Sequence, residues 1–466
     1  MSLGDISGAV DGASFAPHRD RVVRRVVTDS REVQAGDLFV AIVGARMDGH
    51  RFVEAALARG AEGCLVSKCT NGAAPSNSRR ILVKDTIAAL NKLASHYRES
   101  IMPNTTKVVA ITGSNGKTTT KFMLDHVLKA KLPGRAAPAS FNNDLGVPLT
   151  ILSTQETDRY LIVEIGSNAR GEVAALAAVA APDVGVITSI GEAHLEGFGS
   201  IEAIADEKSS LLEQVNPNGA AFVNVDRPEI LPFLRRFQGG RLMRFGFGRD
   251  VDLRVTDPTG SIEHTAFELG GRFHVELPLP GRHHATNAAV VFGVARWFGL
   301  APKQIIQSLA SFQAAPGRAD CRLVGGVSII DDAYNANPTS MTAAVASLVR
   351  AVGGRRIMVM GDMLELGEAA LPQHDRVLEQ ALASPIEKII GVGNVMMQAV
   401  GLYGARAGGD RLVSFPSQEE AGHYLCSIVR AGDTVWIKGS RAMSLDRMVN
   451  VLMAQLGETA TATVST

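Results

Sequence analysis

Four uninterrupted apolar runs set the strongest limit on how this chain can fold: KVVAIT (107–112), YLIVEIG (160–166), VGVITSIG (184–191) and AAFVNVD (220–226). A strand with one wet face alternates apolar and polar residues. A run that is apolar at nearly every position must be covered on both faces. Helical patterns lie between some of these runs, and a parallel sheet layered between helices supplies that cover. Residues 241–280 break the rhythm, where the alternation in DLRV and RFHVELPLP predicts an antiparallel insertion.

The alternation of strand and helix resumes near APGRAD at 315, with VSIIDDAY, RRIMVMGDM, KIIGVG and DTVWIKGS as strands. This predicts a second doubly wound, Rossmann-like α/β domain. No G-x-G-x-x-G follows its first strand, so a bound dinucleotide is not expected there. Upstream, DLFVAIVG, GCLVS and RILVKD read as strands, and RFVEAALARGA and TIAALNKLASHYRES as helices. KCTNGAAPSNSRR reads as a surface loop and GETATATVST (457–466) as a frayed tail. A chain of 466 residues exceeds one ordinary core. The expected fold is therefore α/β in three domains: a small N-terminal domain over 1–103, a central P-loop-type parallel-sheet domain over 104–314, and the Rossmann-like domain over 315–466.

With 47 basic and 47 acidic residues the formal charge is zero, which removes the electrostatic case for nucleic acid or an anionic membrane. Cys64, Cys69, Cys321 and Cys426 complete no zinc pattern and read as free thiols of a reducing compartment. No basic leader with an apolar core opens the chain, and no membrane span is found, so the sequence reads as cytoplasmic.

The stretch VVAITGSNGKTTTK (108–121) carries the first chemistry. Gly116, Lys117 and Thr118 match the second half of G-x-x-x-x-G-K-[ST], but Gly113 stands two residues later than that pattern requires. The context is a strand, a glycine loop and the helical pattern TTTKFMLDHVLKA. Such a turn aims backbone N–H groups and the positive end of the helix dipole at an anion. Lys117 can reach the outer phosphates of a nucleotide and Thr118 can hold Mg²⁺. Glu164 ends a strand at the edge where a parallel sheet meets its ligand. His194 leaves the next such edge. Lys208 lies in the helical run SIEAIADEKSSLLEQV. By pattern alone a solvated strand-end carboxylate is the lesser alternative for Glu164, a structural histidine an even one for His194, and a solvated helix face the ordinary reading of Lys208, which periodicity does not pick out.

Taken together, ITGSNGKTTTK, SFNNDLGVPLTIL, EIGSNARGEV, ITSIGEAHLEGFGSIEAIADEKSSLL, GRHHATNAAV, PGRAD, DDAYNANPTSM, GDMLELGE and KGSRAMSLDRMV resemble, in order, the Mur ligases, the ATP-dependent peptide-bond-forming enzymes of peptidoglycan synthesis. DSREVQAGDLFVAIVGARMDGHRFVEAALARGA is similar to their uridine-nucleotide-binding domain. That family departs from the standard phosphate-loop spacing in the same way. The motifs are most similar to those of its last-acting member.

The resemblance implies a ligase that joins D-Ala-D-Ala to UDP-MurNAc-tripeptide through an acyl phosphate, with ATP and two Mg²⁺ ions. It implies an ATP site of Gly113, Ser114, Asn115, Gly116, Lys117, Thr118 and Thr119, with Asn287 beside adenine and Arg318 and Asp332 reaching phosphate and ribose. Thr118, Glu164 and His194 become metal ligands, and Lys208 a lysine open to carbamylation by CO₂. Ser30, Arg31, Asp48, Gly49 and His50 fall at the uridine-nucleotide end. Asn142, Asn143 and Asp144 fall on the muramoyl side, and Asn335 and Asn337 on the dipeptide side. Ser167 stands where alanine is expected, and Arg170 where the family has His or Pro more often. The chain is expected to act as a monomer. Three rivals remain: the preceding ligase, whose acidic or diaminopimelate recognition motif is not found; folylpolyglutamate synthase, which lacks the first domain; and a non-catalytic nucleotide-binding scaffold.

Overall fold

The computed structural model describes residues 1–14, 18–44, 47–68, 79–403 and 409–464. Cys69 and most of the polar stretch that follows Lys68 lie outside the described residues. Three sheets form, one in each expected region.

The first contains β1 (Ala13–Ser14), β2 (Arg25–Val27), β3 (Asp37–Val40), β4 (Gly63–Val66) and β5 (Arg80–Leu82), in the order β1-β5-β4-β3-β2. Only β1 runs antiparallel. The second contains β6 (Lys107–Thr112), β7 (Gly134–Ala136), β8 (Tyr160–Glu164), β9 (Val184–Ile187), β10 (Ala220–Asn224), β11 (Arg241–Gly246), β12 (Leu253–Gly260), β13 (Thr265–Leu269) and β14 (Phe273–Leu277). Its order is β14-β13-β12-β11-β10-β9-β6-β8-β7. The third contains β15 (Asp320–Val324), β16 (Val327–Asp332), β17 (Arg356–Gly361), β18 (Lys388–Val392), β19 (Leu412–Phe415) and β20 (Thr434–Lys438), in the order β15-β16-β20-β17-β18-β19.

The central apolar runs are covered on both faces, as their composition requires. Val109, Ile111, Ile162, Val186 and Phe222 pack with residues of the helices Lys117–Lys129 and Arg282–Trp297. The intervening Val108, Ala110, Leu161, Val163 and Val223 face the helices Gly146–Leu152, Glu172–Ala180 and Ile201–Ser209. The third sheet follows the same rule. Met358 and Met360 pack toward one set of helices, and Ile357 and Val359 toward the other.

Three details depart from expectation. The antiparallel insertion begins later than 241, because β11 still pairs parallel with β10 and with β12. Only β12-β13-β14 is antiparallel, and only there do buried and open positions alternate, as in Thr265–Leu269. The third sheet opens with an antiparallel edge strand, β15, whose half-open side chains give no apolar run. The last helix, Asp446–Val464, continues through most of the stretch expected as a tail. Its backbone extends an established helix without a proline to stop it.

The helix Thr86–Ser100 joins the first sheet to the second. Leu90 and Leu93 belong to the N-terminal core, while Ala94 packs in the central one. Arg98 Nη2 donates to Asp183 Oδ2 (2.9 Å) and to Ala181 O (2.9 Å), and Nε donates to Ala180 O (3.2 Å). Asp183 Oδ2 also accepts from Val108 N in β6 (2.9 Å). Arg98→Ala therefore strips a charge-assisted anchor between the domains. A loss of about 1.5–3 kcal/mol is expected for hydrogen bonds to charged groups. The thermal midpoint should fall by several degrees in differential scanning fluorimetry, while nucleotide affinity at the distant sheet edge stays at the parent value.

Candidate active site

Parallel pairing brings the carboxyl ends of β6, β8 and β9 to one edge of the central sheet, with Ile111 opposite Glu164 and Thr112 opposite Ile187. The segments that follow these strands carry the candidate residues. Residues 113–116 turn sharply into the helix Lys117–Lys129, which needs left-handed backbone at Gly113 (φ 143°) and Gly116 (φ 82°). A Cβ at Gly113 would stand 2.1 Å from Thr188 Oγ1, and one at Gly116 2.6 Å from Asn287 Oδ1. Only glycine fits either position. The loop is pinned by Ser114 N donating to Ser189 O (2.9 Å), by Asn115 N donating to Ser189 Oγ (2.9 Å), and by Thr188 Oγ1 donating to Asn115 O (2.6 Å).

Glu164 is the hub of the site. Its side chain is 1 % exposed and that of Lys121 is 0 % exposed, with Lys121 Nζ 3.1 Å from Glu164 Oε2. Oε1 accepts from Thr118 Oγ1 (3.1 Å) and from Asn142 Nδ2 (3.1 Å). Arg318 of the third domain donates through Nη2 to Thr118 Oγ1 (3.0 Å) and lies over the Tyr334 ring, 3.8 Å from its centre. Lys117 curls back on the loop, its Nζ donating to Gly113 O (2.6 Å) and Ser114 O (3.4 Å). Burial pulls the Lys117 and Lys121 ammonium groups below the usual lysine range, and Glu164 pulls both back up. Thr119 is buried in the same helix.

His194 leaves β9 in a left-handed conformation (φ 57°). Glu365 of the third domain, also left-handed (φ 63°), brings Oε2 to 2.5 Å from His194 Nδ1. The pair approaches without a hydrogen bond's direction. Burial lowers the His194 pKa, Glu365 raises it, and Lys117 and Lys208 lower it further. Lys208 is 1 % exposed, and its Nζ donates to Ser167 Oγ (2.5 Å). Burial first, and the Lys117 charge second, bring the Lys208 ammonium down to about 7.

The third domain closes on this edge through polar contacts. Asn337 Nδ2 donates to Asn115 Oδ1 (2.7 Å), and its Oδ1 caps the helix Pro338–Leu348 by accepting from Ser340 N (2.9 Å). Arg376 Nη2 donates to Glu192 Oε2 (2.5 Å). Asp332 Oδ2 pairs with Lys438 Nζ (2.8 Å) and accepts from Trp436 Nε1 (3.3 Å), and Asn335 O accepts from Lys438 Nζ (2.9 Å). Asn287 is buried beside Gly116, with Nδ2 3.4 Å from His284 Nδ1. The structure thus sets Asn337 against the phosphate loop, where it joins the two domains, rather than leaving it open on the dipeptide side.

Of the residues expected on the muramoyl side, Asn142 reaches Glu164, while Asn143 Oδ1 caps the helix Gly146–Leu152 by accepting from Gly146 N (2.9 Å). Asp144 accepts from Asn91 Nδ2 through its backbone oxygen (2.8 Å). Arg170 is exposed, with no partner among the described contacts. The uridine-end residues stand apart from the phosphate loop, on the first domain. Ser30 is half-buried and Arg31 is 84 % exposed, the latter paired with Asp29 at 2.6 Å. Asp48 Oδ1 accepts from His50 N (3.0 Å) and lies 2.7 Å from His50 Nδ1, and its Oδ2 lies 2.6 Å from Lys68 Nζ. His50 Nε2 accepts from Ser67 N (2.9 Å), so both ring nitrogens of this buried side chain are used within the fold. Gly49 opens the short 3₁₀ turn Gly49–Phe52 between them.

Sequence reasoning gave no role to Lys121, Glu365, Glu192 or Arg376. Only Lys121 left a readable signal. It stands four residues after Lys117, so the two lysines share one helix face.

Thr118 Oγ1 and the Glu164 carboxylate are the hard oxygen donors a divalent cation takes, and buried Glu164 Oε2 has no hydrogen-bond donor directed at it. Buried His194 Nδ1 likewise lacks one. No cluster of three or more His, Cys, Asp or Glu forms among the described residues. A cation here must complete its shell with ligand oxygens, as Mg²⁺ does on nucleotide phosphates.

Removing one partner of a buried ion pair costs about 3–5 kcal/mol, because the other charge is left uncompensated. Lys121→Met should therefore lower the denaturation midpoint well beyond the surface-mutation range in urea titration. The double change Lys121→Met with Glu164→Gln should recover part of that stability and none of the nucleotide turnover.

Comparison with known proteins follows the same division. Three family models match: "Mur ligase family, catalytic domain" over residues 22–98, "Mur ligase middle domain" over 111–295, and "Mur ligase, glutamate ligase domain" over 317–441. The chain is 32 % identical over 461 residues to the UDP-N-acetylmuramoyl-tripeptide–D-alanyl-D-alanine ligase of Bacillus subtilis, covering 97 % of this chain and 98 % of that one. The crystal structure of MurF from Acinetobacter baumannii superposes with a TM-score of 0.87 at 31 % identity, covering 97 % and 98 % of the two chains. The MurF ligase of Thermotoga maritima in complex with ADP gives 0.82 at 30 % identity, covering 94 % and 99 %.

Proposed function

From the premise that this chain belongs to the Mur ligase family, we propose the following reading of its site and reaction. The protein is an ATP-dependent ligase that forms an amide bond, joining D-alanyl-D-alanine to UDP-N-acetylmuramoyl-tripeptide in peptidoglycan precursor synthesis. One observation carries it: Lys117, Thr118 and Glu164 meet Arg318 of the third domain at a single phosphate loop, within a chain alike over its whole length to ligases of that name.

A carboxylate is a poor acyl donor because it would have to expel oxide. Transfer of the γ-phosphoryl group to the tripeptide carboxylate gives an acyl phosphate, whose phosphate leaves easily. The dipeptide amine then attacks through a tetrahedral intermediate, and ADP and phosphate are released. Lys117 leaves the loop carbonyls it now holds and meets the transferring phosphate. Arg318 brings a second cation from the third domain. Positioning and charge stabilisation are the main terms in such a transfer. Thr118 and Glu164 would hold one Mg²⁺ and His194 a second, and ions bound there would supply further charge neutralisation on the phosphate oxygens. Closure of the third domain keeps water from the acyl phosphate.

The residues divide accordingly. Gly113 through Thr119 hold the phosphates, and Asn287, Arg318 and Asp332 hold the rest of ATP. Ser30, Arg31, Asp48 and Gly49 serve the uridine end, with buried His50 bracing Asp48 from within the fold, and Asn142 and Asn143 serve the muramoyl side. Asn335 flanks the dipeptide, while Asn337 ties the third domain to the phosphate loop. Domains 1–103, 104–314 and 315–466 take the UDP-MurNAc end, ATP, and ATP with D-Ala-D-Ala. The enzyme works as a cytoplasmic monomer. No described helix is long and apolar enough to cross a membrane. Lys208 carries CO₂ as a carbamate, which turns a buried cation into an anion beside the metal site.

The deciding experiment is ATP hydrolysis with UDP-MurNAc-tripeptide, with and without D-Ala-D-Ala. Phosphate release that needs both substrates, with the pentapeptide product read by mass, supports this reading. Addition of one amino acid to UDP-MurNAc-dipeptide assigns the chain to the preceding ligase instead. Lys117→Ala should cut turnover about 10³-fold, the scale for losing a group aimed at developing charge. Retention of activity within threefold removes the loop assignment. Single D-Ala and L-Ala-L-Ala should react at least about 100-fold more slowly than D-Ala-D-Ala, since a displacement near 1 Å costs that much.

The pH profile follows from Lys208. Only the neutral amine takes up CO₂, and its ammonium titrates at about 7. At fixed low CO₂ the neutral fraction falls roughly tenfold between pH 8 and pH 6. Activity at low CO₂ should fall with it, and saturating bicarbonate should flatten the acid limb.

A further inference from the structure

Lys208 is buried without a carboxylate of its own. Its neighbour Glu207 is spent on Gly171 N (2.7 Å) and Val173 N (2.8 Å), at the start of the helix Glu172–Ala180. Glu172 accepts from Asn168 N (2.7 Å) and Ala169 N (3.3 Å). The Phe198 ring lies 5.7 Å from Lys208 Nζ and offers no acceptor atom. The hydrogen bond that Nζ makes among the described contacts goes to Ser167 Oγ, itself 5 % exposed.

Ser167 reaches that position from the exit of β8. The strand ends in Glu164, which turns to Thr118, Asn142 and Lys121. Gly166 N then donates to Asn142 O (2.8 Å), which fixes the path of the turn. Three residues after the carboxylate, Ser167 presents its hydroxyl to Lys208. One short turn therefore carries both the Glu164 carboxylate and the hydroxyl that holds the lysine nitrogen.

We propose that Ser167 is a positioning residue for Lys208: its hydroxyl fixes Nζ and, once CO₂ is bound, donates to a carbamate oxygen. The inference rests on the carbamate reading given above. In the step itself the Nζ lone pair forms the N–C bond and a C=O π pair moves onto oxygen. One amine proton leaves to water, and a carbamate monoanion results. A hydroxyl suits both states because it has one donor and two acceptor sites. It accepts from the amine before reaction and donates to the anion after it. Alanine, the residue expected at this position, does neither.

The test uses the full-length enzyme with Ser167→Ala and Ser167→Thr. In CO₂-depleted buffer, the bicarbonate concentration that gives half-maximal ligation should rise about tenfold in Ser167→Ala, the scale for losing one hydrogen bond to a charged group. The carbamate carbon, read by ¹³C NMR with labelled bicarbonate, should weaken in parallel, while ATP affinity by calorimetry stays at the parent value. Ser167→Thr, which keeps the hydroxyl, should stay within threefold of the parent in both readouts. An unchanged half-point and carbamate signal in Ser167→Ala overturn the role of Ser167 and leave the carbamate standing. Equal shifts in the alanine and threonine variants also overturn it, because packing rather than the hydroxyl is then responsible. Absence of the carbamate signal from the parent enzyme overturns both.

Discussion

A carboxylate buried at the edge of the central sheet governs the arrangement around it. Glu164 cannot stay ionised in that position without partners, because an unpaired buried charge costs several kcal/mol (roughly) even after the protein relaxes. Its partners come from two separate segments: Thr118 and Lys121 from the helix after the phosphate loop, and Asn142 from the loop before the helix Gly146–Leu152. Lys121 also donates to Ala139 O, so the same lysine holds a second point of that loop. Placing the carboxylate therefore places the phosphate loop and the loop that carries Asn142 relative to each other.

The sequence was most legible where one residue type had one physical reason to be present. The runs around Val109, Ile162 and Val186 had to be strands buried on both faces, and they are. Gly113 and Gly116 had to be glycines for a sharp turn into a helix, and both have positive φ. Legibility fell where a side chain acts against its usual habit. Lys121 lies on a helix whose first turns are buried, Thr118, Thr119 and Thr120 included, so no wet face marks it. Glu365 and Arg376 find their partners across a domain boundary, and local periodicity carries no information about that. β15 escaped because an edge strand needs no apolar run. His50 shows the opposite case. Its motif suggests a ligand contact, while its ring is spent on Asp48 and Ser67.

The two domain junctions differ in kind. The first is made by a helix whose apolar face belongs to two cores at once and by Arg98, which is mostly buried against Asp183. Separating those domains exposes apolar surface and an ion pair together. The second combines a small apolar contact, where Ile262 and Leu195 of the central region pack into the third domain's core, with polar ones: Arg318 to Thr118, Asn337 to Asn115, Glu365 to His194 and Arg376 to Glu192. Polar contacts exchange readily for water, and inter-domain surfaces of this sort permit relative motion.

Three of these four polar contacts use residues of the proposed phosphate site. Thr118 cannot give its lone pairs to a cation and keep its present geometry with Arg318. His194 cannot offer Nδ1 to a cation while Glu365 occupies that nitrogen. Asn115 sits in the loop that wraps the phosphates. Binding at the loop and the position of the third domain are therefore linked, and linkage is reciprocal: whatever the nucleotide does to the domain, the domain does to nucleotide affinity. The Arg376–Glu192 pair stands outside this competition, because neither residue is called on to hold ATP.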